Sequence, residues 1–99
     1  MRLTSEQMSI IKQTALEIFG PNARVRLFGS RLDEQARGGD IDLLVESERV
    51  IDDKVSKSLT LTARLQLRLG DQPIDILVVD PSVRRNAVHQ QALRTGQPL

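Results

Sequence analysis

Three aspartates are spaced to do chemistry. Asp40 and Asp42 flank a single isoleucine at the head of an apolar run, Ile41-Asp42-Leu43-Leu44-Val45. On a strand, residues two apart project from one face with Cα atoms about 6 to 7 Å apart. Two like charges so placed repel unless a cation bridges them. Asp75 lies between Ile74 and Ile76 in a second apolar run, where a bare buried charge is costly; it is read as a third ligand on an adjacent strand. The chain has no cysteine and a single histidine, His89, which excludes a disulfide scaffold, a thiolate zinc site and a histidine-rich metal site. A bound metal has to be held by oxygen, which points to Mg²⁺ or Mn²⁺, ions that take one or two carboxylates and complete their octahedra with water and substrate phosphate.

Gly29-Ser30 closes an earlier strand-like run. Glycine there lets backbone approach a ligand, the amides that follow point outward at a helix start, and the Ser30 hydroxyl adds a donor, which makes a phosphate-binding turn. Phosphate donors beside three carboxylates are the parts of two-metal phosphoryl or nucleotidyl transfer, with metals some 3.5 to 4 Å apart. Singly, each element has a plainer reading: a common turn, a solvated loop pair, an ion-paired strand residue. Together, in register on successive strands, they favour the functional one.

The elements that position these residues can be read in order. Thr4 is an N-cap with Gln7 completing a capping box and Leu3 and Met8 forming a hydrophobic staple; the first helix runs from about Ser5 to Phe19 and leaves through Gly20-Pro21 in a left-handed exit. Arg24 to Phe28 alternates as a strand, Arg31 to Ala36 is a candidate short helix broken by Gly38-Gly39, and Ile41 to Val45 is a second strand carried to solvent by Glu46-Ser47-Glu48. From Leu59 to Leu69 the leucines alternate as a strand would, yet Lys57, Thr60, Arg64 and Arg68 share one narrow polar face of a helical wheel. Eleven alternating residues make an overlong strand for so small a domain, so a helix from about Asp53 to Leu69, ended by Gly70, is expected. Its apolar arc is wider than one small sheet covers, so part of it faces a partner subunit or is covered by its own neighbours. Pro73 to Val79 is a third strand, expected to be buried on both faces; Asp80-Pro81 reads as the start of a last helix reaching about Arg94. The expected fold is α/β (α+β), a small mixed sheet of about three to four strands with helices packed on it, in the order α-β-α-β-α-β-α, as one domain over residues 1–99.

Composition bounds the partners. The 99 residues carry 14 basic and 13 acidic side chains, a net charge of +1, and Phe19 and Phe28 are the only aromatics. No electrostatic field or stacking platform advertises direct nucleic-acid binding. No apolar run approaches the roughly 18 residues of a membrane helix and no signal-like stretch opens the chain, so a cytoplasmic protein without a membrane partner is expected. The basic residues are mostly arginine, which suits phosphate and carboxylate partners.

Gly29-Ser30, nine residues, Asp40-Ile41-Asp42, and Asp75 on the next strand resemble the minimal nucleotidyltransferases of the DNA polymerase beta-like superfamily, together with Arg31 directly after Ser30 and the closing Gly96-Gln97-Pro98-Leu99. The resemblance implies that Gly29, Ser30 and Arg31 bind nucleotide, with Ser30 on the β- and γ-phosphates of ATP. It implies that Asp40 and Asp42 hold two Mg²⁺ ions, and that Asp75 completes the metal site and helps activate the acceptor hydroxyl. It further implies a partner. Minimal nucleotidyltransferases are typically encoded beside a HEPN-domain protein, and several such pairs act as toxin and antitoxin, AMP being transferred to a tyrosine of the HEPN ribonuclease. The function so implied is protein adenylyltransferase, antitoxin of a type VII-like pair, in a hetero-oligomer with its HEPN partner. The leucine-rich helix and the last helix are the candidate contact surfaces. The alternative is a non-catalytic antitoxin that neutralises its partner by complex formation.

Other residues carry plainer readings. His89 is given no role, Asp80 is an N-cap, Asp33 and Glu34 are a solvated pair, Arg37 flanks the site, and Arg84-Arg85 is too short for a nucleic-acid patch. A HAD-type phosphatase also uses Asp-x-Asp, but at the carboxyl end of a hydrophobic strand, whereas here the apolar run follows Asp40. A sugar-nucleotide transferase with Asp-x-Asp requires a much longer chain.

Overall fold

Thr4 accepts a hydrogen bond from the Gln7 amide at 3.1 Å and its own amide donates to the Gln7 side chain at 2.9 Å, so the capping box that starts the first helix forms as read. In the computed structural model, which describes residues 3–29 and 40–99, that helix is α1, Ser5–Phe19. Leu3 is buried and Met8 packs on the same cluster, the two halves of the staple. Gly20 leaves the helix at φ 96° with an extended ψ of 173°, so the exit is not the left-handed helical turn expected. The remaining elements are β1 (Arg24–Phe28), β2 (Ile41–Glu46), α2 (Lys54–Leu69), β3 (Ile74–Val79), α3 (Ala87–Thr95) and β4 (Gln97–Pro98). The short helix expected from Arg31 to Ala36 lies outside the described residues, as do Ser30, Asp33, Glu34, Arg37 and the Gly38-Gly39 break.

The four strands form one mixed sheet in the order β3-β2-β1-β4: β1 is antiparallel to β2 and β4, and β2 is parallel to β3. Alternation along each strand splits its side chains between two faces. Val25 and Leu27 of β1 and Ile41, Leu43 and Val45 of β2 join Ile11 and Ala15 of α1 and Leu61 and Leu65 of α2 in the main core. On the opposite face, Leu44 and Val79 pack with Ala92 of α3, flanked by Phe28, Leu77 and Leu93. Helices therefore cover both faces of an α+β sheet.

The strand buried on both faces is β2, not β3 as expected. β3 is an edge strand whose only fully buried residue is Val79; an apolar run reports hydrophobicity but not how many neighbours a strand has. The helical reading of the alternating leucines holds, and the structure shows how. Leu61 and Leu65 enter the core, while Val55, Leu59 and Leu67 stand 76%, 67% and 86% exposed along with Ala63. The polar face is turned toward α1: Arg68 donates to Thr14 Oγ1 at 2.6 Å and to Glu17 at 3.2 Å, with Arg64 beside the same carboxylate at 3.8 Å.

The last helix begins six residues later than the Asp80-Pro81 signal suggests. Asn86 is its N-cap, and His89 is drawn into the cap: the His89 amide donates to Asn86 Oδ1 at 3.0 Å and the Asn86 amide donates to His89 Nδ1 at 3.1 Å. Asp80 is not an N-cap of that helix. Its side chain is 3% exposed or less and is held by partners distant in sequence, Ile51 and Lys54, as well as by Ser82. Among the described residues no helix is long and apolar enough to cross a membrane.

Candidate active site

The register of the sheet assembles the carboxylates. Asp42 on β2 and Asp75 on β3 are direct partners across the parallel pair, and Phe28 of β1 is opposite Asp42 on the other side. Ile74 and Ile76 pack into the main core, so Asp75 between them projects from the other face, as does Asp42 between Ile41 and Leu43. The Ile41 amide donates to Pro73 O at 2.9 Å, which fixes the heads of the two strands side by side. Asp40 precedes β2 by one residue and has the same parity as Asp42.

Asp75 is exposed at the sheet edge, which corrects its reading as a buried acid: with β2 on one side only, its carboxylate reaches water. Asp42 is the half-buried member. Its carboxyl is pushed above the usual carboxylate range, first by burial, then by the charges of Asp75 and Asp40, and by a side-chain hydrogen bond with Asp75. That bond requires a proton on one of the two carboxyls or a cation in its place. The donor set is hard oxygen throughout, and the uncompensated charge has the sign a divalent cation would neutralise, so the residues fit such an ion. Among the described residues no three acid, histidine or cysteine side chains are already disposed to hold a metal; the structure gives a coupled pair with Asp40 alongside.

Gly29 abuts this pair. Its φ is +78°, in the left-handed region that disfavours a side chain, and a Cβ built there would collide with Asp42 Oδ2. Glycine is required both by the turn that ends β1 and by the space the Asp42 carboxylate occupies. Of the six residues singled out from the sequence, Asp40, Asp42, Asp75 and Gly29 are brought to one end of the sheet; Ser30 and Arg31 lie outside the described residues.

Asp80 is the acid that sequence reasoning misassigned. Its carboxylate accepts from Ile51 N at 2.7 Å, Ser82 N at 2.8 Å and Ser82 Oγ at 2.6 Å, and pairs with Lys54 Nζ at 2.9 Å. Burial alone would raise its pKa; the bond from Ile51, with those from Ser82 and Lys54, outweighs burial and holds it well below the usual range. No local signal reveals this, because its main partners are 26 and 29 residues away.

Comparison with known proteins agrees with the fold. No curated protein matches the sequence significantly. The family profile described as nucleotidyltransferase domain matches residues 8–95, which include Asp40, Asp42 and Asp75 and span β1, β2, β3, α2, α3 and all but the first residues of α1. The chain thus belongs to the nucleotidyltransferase domain family.

Proposed function

We propose that the protein is a divalent-metal-dependent adenylyltransferase that moves AMP from ATP to a hydroxyl, a tyrosine, of a HEPN-domain partner, and so serves as the antitoxin of a type VII-like pair. Residues 1–99 act as one nucleotidyltransferase domain in this reading. The observation that carries it is the side-by-side pair Asp42 and Asp75, held in register on parallel strands with Asp42 raised by burial and by its acidic neighbours.

Asp40, Asp42 and Asp75 would hold Mg²⁺ or Mn²⁺, which when bound neutralises the triphosphate and stabilises the leaving oxygen. Gly29 leaves room for the Asp42 carboxylate, and by the family resemblance Gly29, Ser30 and Arg31 would bind the phosphates of the nucleotide. Asp75, exposed at the edge, is open to an arriving hydroxyl and takes its proton. The acceptor oxygen bonds to the α-phosphorus, the bond from that phosphorus to the bridging oxygen breaks, and pyrophosphate leaves. The apolar residues that α2 exposes, Val55, Leu59 and Leu67, with Val88 of α3, support a protein partner on those helices.

The same stripe favours the second reading, a binding module that neutralises its partner by complex formation alone. One experiment tests both. Purified protein, α-labelled ATP, Mg²⁺ and the HEPN protein encoded beside it are expected to give a nucleotide-labelled partner. The Asp40→Ala/Asp42→Ala variant should form the complex yet neither label nor neutralise. Absence of label with the wild type, or neutralisation that survives in the double variant, would overturn the catalytic reading.

A further inference from the structure

We propose that the end of the sheet opposite the carboxylates is a second site, for a small anion bearing phosphate or carboxylate groups. A cavity of about 630 Å³ opens there, lined by Arg24 at the head of β1, Glu46, Glu48 and Arg49 at the end of β2, and Asp80 and Arg85 after β3. The volume suits a small molecule, for which pockets of about 300 to 1,000 Å³ are usual.

Its charge is not what the lining composition suggests. Glu46 is already engaged by Arg26 Nε at 2.8 Å. Asp80 is spent on Lys54, Ile51 and Ser82 and faces the cavity as a satisfied wall. Glu48 is the one lining carboxylate without an ion pair among the described residues, whereas Arg24, Arg49 and Arg85 are all exposed and none is paired with a described carboxylate. Three exposed arginines therefore line a cavity whose acids are largely consumed, and the planar fork of arginine matches the oxygens of phosphate and carboxylate.

The frame is held in place beforehand. Through Asp80, the segment after β2 (Ile51), the start of α2 (Lys54) and the turn after β3 (Ser82) share one buried carboxylate. The site is also separate from the acidic one. Asp42 and Glu46 are four residues apart on β2, roughly 13 Å along the strand, and Asp75 and Val79 are equally spaced on β3. At the carboxylate end an anion is repelled until a cation is present; at the arginine end it needs none.

That contrast supplies the test. The ¹⁵N-labelled chain in EDTA is titrated with pyrophosphate and, separately, with citrate, while backbone amides and arginine Nε–H signals are followed. Saturable shifts are expected at Arg24, Ser47 to Arg49 and Arg85, with a dissociation constant below about 1 mM, weakened at least about tenfold in Arg24→Gln/Arg85→Gln. Arg49→Gln, an exposed single change, should weaken binding in the same direction and guards against misfolding of the double variant. Tighter binding of pyrophosphate assigns the site to a phosphate ligand, and of citrate to a polycarboxylate. The proposal is overturned if shifts do not saturate, if the variants bind as the wild type does, or if shifts are confined to Gly29, Asp40 and Asp42.

Discussion

Two aspartates at opposite ends of the same pair of strands have been treated in opposite ways. Asp42, at the head of β2, is half-buried beside two other acids and is pushed toward the protonated form. Asp80, just past the end of β3, is more deeply buried, yet four donor groups from three residues, Ile51, Lys54 and Ser82, keep it charged. Burial disfavours both charges; what separates them is compensation. Under the proposed function, the acid left uncompensated is the one that would hold a cation, while the acid past the end of the adjoining strand is satisfied by the protein itself. In that reading the carboxylate end serves a ligand, whereas the Asp80 end ties the segment after β2, the start of α2 and the turn after β3 together.

Neutralising Asp42 should break the comparison most visibly. Asp42→Asn keeps the shape but removes the charge that a metal requires, and nucleotidyl transfer is expected to fall by at least about a thousandfold, roughly 4 kcal/mol of transition-state stabilisation. Turnover measured at saturating ATP and Mg²⁺ checks it; a variant within tenfold of the wild type would remove Asp42 from the reaction.

Asp80→Ala should have the reverse profile. It strips acceptors from the Ile51 amide and the Ser82 donors and orphans Lys54, so a loss of about 3 kcal/mol is expected. In a domain of this size that lowers the thermal midpoint by roughly 10 to 20 °C, with turnover per folded molecule retained. The pH dependence sharpens it. The folded pKa lies below the ordinary value of about 3.9, so the contribution is complete above that pH and fades as pH falls toward the folded pKa. The stability gap between the wild type and Asp80→Asn should be flat from about pH 5 to 8 and narrow below about pH 4, as read by urea unfolding.

Gly29→Ala touches the acidic end without altering its charge. The added methyl meets the Asp42 carboxylate at a positive φ, so the carboxylate must move. Misplacement on the scale of 1 Å costs up to about a hundredfold, and a loss of ten- to a hundredfold in turnover is expected, with about 1 kcal/mol of strain in the unfolding free energy. Wild-type turnover in this variant would show that the close approach of Gly29 to Asp42 is immaterial.

The unequal legibility of the two ends has the same physical origin. Signals confined to a few neighbouring residues were readable: the Thr4/Gln7 box sets the start of α1, and Lys57, Thr60, Arg64 and Arg68 mark α2 as a helix despite its alternating leucines. Asp40 and Asp42 are two apart across the start of β2, so their shared parity needs no tertiary information, and Gly29 follows directly from the turn after β1. Signals that depend on distant partners were not readable. The apolar run around Asp75 does place it on a strand adjacent to Asp42, but its direct parallel pairing with Asp42 and its exposure at the sheet edge follow from a register and a strand order that no local pattern specifies. Asp80-Pro81 imitates a helix start because the partners that claim Asp80, Ile51 and Lys54, come from the other end of a helical crossover. β3 reads as a central strand because its apolar run cannot reveal a missing neighbour, and β4, only Gln97–Pro98 beside Arg26 and Leu27, is too short to carry a pattern.

The smallest expected effect is the most discriminating, because it requires one substitution to harm function and help the fold. Asp42 has a raised pKa in the folded state, so near that pKa the folded chain binds more protons than the unfolded one, and stability declines as pH rises from the unfolded value of about 3.9 through the folded value. At neutral pH, without metal, the ionised Asp42 opposes Asp75 across the strand pair, a like-charge contact worth roughly 0.2 to 1 kcal/mol. Asp42→Asn should therefore be more stable than the wild type by that amount at pH 7 in EDTA, the advantage should shrink toward zero as pH falls to about 4, and Mg²⁺ should stabilise only the wild type. A variant less stable than the wild type at neutral pH would mean that Asp42 is held by its surroundings as Asp80 is, and the two ends of the sheet would no longer differ in kind.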